Sequence, residues 1–172
     1  KGVYQLVEAV ALLKNEFPEL TLVMGGDGPE MDGLKARAEA LGVADRVQFP
    51  GYVRRQLKAK VFAEATIFVF PSYYWEGLPN AVLEAMGAGL PILANPVAGV
   101  PEVMSEPENG LFLSEVTAED IAQKIRTMLT DPAYMAATSK QNLDKAWTCY
   151  ESAVVSRKIE DIYRSVRPSI AA

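Results

Sequence analysis

Five short, mostly apolar runs at residues 20–24, 46–50, 67–70, 91–94 and 110–113 are each separated from the next by a stretch with helical or turn character. A run of this kind is too short for a membrane span and suits a strand buried on both faces of a parallel sheet. The intervening stretches carry apolar residues at helical spacing. Val3, Leu6, Val7, Val10, Ala11 and Leu13 recur this way before Pro18, where a helix must stop. Residues 29–40 read as a second helix closing at Gly42, a good residue beyond a helix end. Residues 56–64 and 79–89 read as two more. Thr117 can cap a helix running to Leu129, helped by Asp120 three residues on. Two further helical stretches, near 133–148 and 151–166, follow with no strand between them. Strands alternating with helices mean βαβ units, so the expected fold class is α/β, a Rossmann-like doubly wound parallel sheet with C-terminal helices. At 172 residues the chain fits one domain, and neither linker nor internal repeat is evident.

Composition narrows the chemistry. The net charge is −5 and there is no basic run, which argues against nucleic acid as a partner. No apolar stretch is long enough to span a membrane, and the first residues lack the basic-then-apolar pattern of a signal peptide. One cysteine, Cys149, cannot form an internal disulfide, which fits a reducing cytoplasm. The absence of histidine removes histidine-based triads, general bases and metal sites within this segment.

In doubly wound sheets ligands bind beyond the carboxyl ends of the strands. The loops that matter therefore follow Met24, Pro50, Phe70 and Ala94. The first is Gly25-Gly26-Asp27-Gly28-Pro29, opening straight into a helix. Glycines allow close backbone approach, and a helix start offers N–H groups to an anion. It is not a dinucleotide fingerprint, because the third glycine counted from Gly26 would fall at Met31. The bland alternative is a tight turn between strand and helix.

The loop after Phe70 runs Pro71-Ser72-Tyr73-Tyr74-Trp75-Glu76-Gly77-Leu78-Pro79-Asn80. Pro79 suits the first turn of a helix, which leaves the N–H groups of Leu78, Asn80 and Ala81 pointing outward. A diphosphate there would gain about 1–2 kcal/mol from the helix dipole. Tyr73 and Tyr74 are expected to be packing aromatics. In the following helix Glu84 is the one charged residue, so the helix is expected to be buried nearly all round. Its carboxylate then needs a donor, either neighbouring backbone or the hydroxyls of a ligand. Glu76 precedes it by eight positions, and the pair would face one pocket at two depths. Ribose and sugar rings carry vicinal hydroxyls that a carboxylate can accept in bidentate fashion. The residues alone leave metal binding and general acid–base work open as well.

At these residues the sequence resembles the retaining glycosyltransferases called family 4, or group 1. Glu76 to Glu84 looks like that family's carboxylate pair, with seven residues between. Lys1-Gly2 resembles its lysine–glycine before the first helix, and Gly26-Asp27-Gly28-Pro29 its glycine-rich loop. Residues 47–53, 84–91 and 99–102 resemble three further motifs in the same order. The resemblance covers about residues 1–131. It implies the C-terminal half of the two-domain fold termed GT-B, which holds a nucleotide-diphosphate sugar as substrate and needs neither cofactor nor metal. By the resemblance, Glu84 binds ribose, Glu76 the transferred sugar, and Lys1 the diphosphate. Backbone around Gly77, Leu78 and Asn80 assists, Gly26 and Gly28 belong to the glycine-rich loop, and Tyr52, Val53 and Leu57 lie near the base.

The family's first strand and its whole N-terminal acceptor-binding domain fall outside this segment, so the segment alone is expected to bind donor weakly and to transfer nothing. In the family the last helical region reaches back to that first domain. Residues 151–166 are accordingly expected to be less well packed than the sheet here, or to pack against a neighbouring molecule. Rival readings are a sensor or inactive subunit that binds a nucleotide sugar, a nucleotide-sugar epimerase of the same fold, and a plain flavodoxin-like scaffold.

Overall fold

The computed structural model describes residues 1–75 and 77–166. Among them are five strands, every pairing between them parallel: β1 (Leu22–Val23), β2 (Val47–Gln48), β3 (Phe68–Phe70), β4 (Ile92–Ala94) and β5 (Gly110–Phe112). Between and after them come α1 (Val3–Leu13), α2 (Met31–Ala40), α3 (Arg55–Glu64), α4 (Asn80–Gly87), α5 (Val100–Val103), α6 (Ala118–Leu129), α7 (Pro132–Lys145) and α8 (Ser152–Val166). The expected Rossmann-like order of elements is therefore present.

The apolar runs read as strands because both of their faces are covered. In β4, Leu93 packs with Leu6, Leu13, Ile121 and Met128 of α1 and α6. Its neighbours Ile92 and Ala94 pack on the opposite face with Val82 and Met86 of α4 and Val100 of α5. All three strand residues are fully buried, as alternation between two helical layers requires. Each large aliphatic side chain removed from water this way contributes about 1.5–3 kcal/mol. Thr117 caps α6 as expected: its hydroxyl accepts the Asp120 N–H at 3.2 Å. The Asp120 carboxylate in turn accepts the N–H groups of Ser114 and Glu115 at 2.7 and 3.1 Å.

One feature differs from a single continuous sheet. The strands form two ladders, β1–β2 and β3–β4–β5, and no ladder joins β1 to β3 among the described residues. A doubly wound sheet of strand order 3-2-1-4-5-6 has a strand at that place, directly before the first crossover helix. That helix is α1, and it bridges the division by packing. Leu6, Ala9 and Leu13 belong to the core over β3–β5, while Val7 and Val10 belong to the core with α2 and β2.

The last helices are held unequally. Asn142 of α7 is fully buried. Its Nδ2 donates to the carbonyls of Leu90 and Asn109 at 2.7 and 2.9 Å, and its Oδ1 accepts from Asn109 Nδ2 at 2.7 Å. Asn109 Oδ1 also accepts the Ser105 N–H at 3.0 Å and Lys145 Nζ at 3.1 Å. This network ties α7 to the connections on either side of β4. By contrast α8 has no buried residue, and Ile159, Ile162, Tyr163 and Val166 are exposed along it, matching the weaker packing expected of residues 151–166. A π-helical turn at Ala146–Tyr150 separates the two.

The loops leaving β1 and β2 are fastened to each other. Gly26 N–H donates to the Gly51 carbonyl at 2.8 Å. Gly25 lies so close to Val53 that a Cβ there would stand 2.6 Å from Val53 Cγ2. Gly25→Ala is therefore expected to cost about 1–3 kcal/mol of stability through overpacking, and adding Val53→Ala should return at least half of it; thermal denaturation of the three variants measures this. Asn142→Leu leaves carbonyl and amide groups of the buried network without partners. It should lower stability by about 3 kcal/mol in urea unfolding; a loss under 1 kcal/mol would mean the network is not a structural tie.

Candidate functional site

The carboxyl ends of β1 and β2 open onto a groove of about 490 Å³. Gly25 and Gly26 form one side, and Tyr52, Val53, Arg54, Arg55 and Lys58 form the other. Local backbone explains the shape. Gly25 lets the first loop press against Val53, and Arg54, in extended conformation, leads directly into α3. Arg55 takes a φ of 47°, a left-handed conformation that costs a non-glycine residue on the order of 1 kcal/mol or more. The Arg54 guanidinium lies 4.1 Å from the centre of the Tyr52 ring, within cation–π range. Tyr52 is otherwise largely exposed, so this stacked pair stands at the groove as a flat, polar-edged surface.

Glu84 reaches this groove through one contact. Lys58 Nζ, on α3, donates to Glu84 Oε1, on α4, at 2.6 Å. The two side chains are 35% and 43% exposed. This corrects the expectation that α4 is buried nearly all round. Val82, Ala85 and Met86 are buried, but Asn80, Glu84 and Ala88 form an exposed line at intervals of four. That line faces away from the core, and Glu84 takes its hydrogen bond from a cation on a neighbouring helix instead of from local backbone.

The other residues of interest lie along the carboxyl end of β3. Gly2 has φ 71°, and a Cβ there would stand 2.5 Å from the Pro71 carbonyl and 2.8 Å from Val116 Cγ1. Only glycine permits that approach, which seats exposed Lys1 beside the loop that leaves β3. In this loop Ser72 is buried, and its carbonyl accepts from Asn95 Nδ2 at 3.0 Å. Pro79 takes the capping position just outside α4, with φ −73° and ψ 113°, so the helix begins at Asn80, one residue later than expected. The N–H groups of Asn80 and Ala81 are those a helix start leaves open. Tyr73 and Tyr74 do not pack into the core. They stack on each other with ring centres 5.1 Å apart and are about half exposed, and Trp75 is more exposed still.

Of the residues singled out in the sequence, Gly26, Tyr52 and Val53 line the groove, and Glu84 joins it through Lys58. Lys1, Gly77, Leu78 and Asn80 lie along the next loop, Leu57 is exposed on α3, and Gly28 is at the start of the turn into α2, its N–H on Asp27 Oδ1 at 2.9 Å. Glu76 lies outside the described residues. Arg54, Arg55 and Lys58 were not singled out. Their signal was present: α3 carries basic residues around its first turn and no acidic one there, the reverse of what its dipole favours. Among the described residues no three His, Cys, Asp or Glu side chains gather as a metal site, and no helix is long and apolar enough to cross a membrane.

Comparison with known proteins bears on the whole arrangement. The chain is 36% identical over 132 residues to a lipopolysaccharide core biosynthesis glycosyltransferase of Rhizobium meliloti, covering 76% of this chain and 36% of that protein. Its fold superimposes on sucrose-phosphate synthase from Thermosynechococcus elongatus with a TM-score of 0.82 at 27% identity, over 96% of this chain and 42% of that one. It also superimposes on the Anabaena protein HepE, crystallised in complex with UDP, with a TM-score of 0.84 at 23% identity, over 94% of this chain and 44% of that one. The chain thus spans less than half the length of these proteins. The sequence profile of the glycosyl transferases group 1 matches residues 1–145. On that match, the chain belongs to the group 1 glycosyltransferase family.

Proposed function

We propose that this chain is the donor-binding half of a retaining, metal-independent glycosyltransferase of family 4, which transfers a sugar from a nucleotide-diphosphate sugar to an acceptor. The observation that carries the reading is the groove between Gly26 and Lys58, lined by cations and bordered by a carboxylate at hydrogen-bonding distance from one of them. A nucleoside diphosphate has the complementary parts: a flat base, a vicinal diol and an anionic tail. In this reading the base lies against Tyr52 and Val53, with Leu57 beyond, and the ribose hydroxyls bond to Glu84. The diphosphate meets Lys1 and the backbone N–H groups around Gly77, Leu78 and Asn80, with Gly26 and Gly28 opposite. Glu76 holds the sugar that leaves. The UDP held by the Anabaena relative is a ligand of this class.

Retention would follow from attack on the same face as departure, through an oxocarbenium-like transition state. Most of the catalytic work is then stabilisation of the departing diphosphate by fixed cations and N–H dipoles. The acceptor is held by an N-terminal domain that belongs to the same protein. A strand leading from that domain into Lys1 would fill the place between β1 and β3, and α8 would lay its apolar face on the same domain.

Substitutions in the full-length protein separate the roles of the two carboxylates. With the tightest of UDP, GDP and ADP as probe, Glu84→Gln should weaken binding by about 1–3 kcal/mol, the scale of a charged hydrogen bond. Glu76→Gln should leave that affinity nearly intact and lower kcat with the sugar donor. Calorimetry with and without chelator should give the same affinity. Equal losses of affinity in the two variants would contradict the assignment. A Glu84→Gln protein that melts earlier but binds as before would reduce Glu84 to a structural partner of Lys58.

A further inference from the structure

We infer that Lys58 is a positioning residue of this site, holding the Glu84 carboxylate in the orientation that receives the donor's diol. The inference rests on the reading of Glu84 just given and adds a residue to it. Lys58 is the one residue that both lines the groove and touches Glu84 among the described residues.

Three observations converge. First, the contact engages Oε1 alone; among the described residues Oε2 accepts nothing. A carboxylate has about four lone-pair sites on its two oxygens, so one ammonium hydrogen bond leaves room for two hydroxyl donors and need not break when a diol arrives. Second, Glu84 stands on the exposed line of α4, more than a third open to solvent. No other hydrogen bond or ion pair among the described residues holds its carboxylate, so without Lys58 a ligand would have to order it on binding. Third, Arg54, Arg55 and Lys58 crowd the start of α3 with positive charge and no acidic residue offsets it there. Glu84 supplies the missing negative charge from the neighbouring helix, so each helix orients a side chain of the other. A half-exposed ion pair contributes little to stability, which leaves positioning as its consequential role.

The test is a double-mutant cycle in the full-length protein. It uses the tightest-binding of UDP, GDP and ADP, with melting temperature followed in parallel. Lys58→Met should weaken the nucleotide about tenfold, which is about 1.4 kcal/mol. It should raise KM for the sugar donor while leaving kcat within about twofold. Lys58→Arg should recover most of the affinity, because a guanidinium can hold the same oxygen. In a Glu84→Gln background, Lys58→Met should add no further loss, since its effect runs through that carboxylate. Unchanged or tighter binding in Lys58→Met would overturn the inference, as would a lower melting temperature at unchanged affinity. Additive losses would overturn it too, because they would mean Lys58 acts on the ligand independently. If Glu84→Gln itself leaves affinity unchanged, the parent reading of Glu84 fails; if only Lys58→Met does, that reading survives without the positioning role.

Discussion

Strands that run parallel within a ladder must release their loops at one end of it, and this constraint organises the rest of the molecule. Each of β1 to β5 pairs parallel with its neighbour, so each crossover must return through a helix before the next strand starts. The apolar strands can be so short because α1 and α6 close one face and α4 and α5 the other. With the core settled this way, the loops after β1, β2, β3 and β4 gather at the carboxyl edge with little structural work left to do. Glycines, a φ-strained Arg55 and a capping Pro79 collect there, where a ligand rather than the core sets the requirements.

Charge at that edge is arranged against local helix preference. The start of α3 bears Arg54, Arg55 and Lys58 where its dipole already leaves positive potential. In an isolated helix this would favour fraying. In the protein Glu84 lies across from it at 2.6 Å from Lys58 Nζ, and the groove beside it keeps an excess of positive charge. An anionic ligand with hydroxyl groups suits such an edge on both counts: the positive potential draws it in, and its diol answers the carboxylate.

The parts of the fold legible in the sequence were those governed by local period and punctuation. Helices α1, α6 and α7, the strand at 67–70 and the Thr117 cap follow from apolar spacing, proline, glycine and a hydroxyl three residues before a free N–H. The loop positions follow from topology alone. What escaped were contacts between elements distant in sequence. The apolar composition of α4 implied burial all round, yet Asn80, Glu84 and Ala88 fall on one line four residues apart and stay exposed. The partner of Glu84 could not be read because Lys58 is 26 positions away and meets it only when α3 and α4 lie side by side. Tyr73 and Tyr74 read as packing aromatics, but after buried Ser72 both are about half exposed and they stack on one another. The division between β1 and β3 is not written in the composition of either strand; only the family resemblance, which puts a first strand outside this segment, pointed to it.

The proposed function requires a nucleoside diphosphate lying in the groove between the first two loops and α3, with its ribose on Glu84. A crystal structure of the full-length protein with bound nucleoside diphosphate tests this most directly. The expected result is ribose hydroxyls at about 2.7 Å from the Glu84 carboxylate, the base against Tyr52 and Val53, and the phosphates at Lys1 and the start of α4. A nucleotide seated elsewhere would contradict it, for example in the second groove between Ser105, Asn109 and Lys145, with Glu84 still bonded to Lys58 alone.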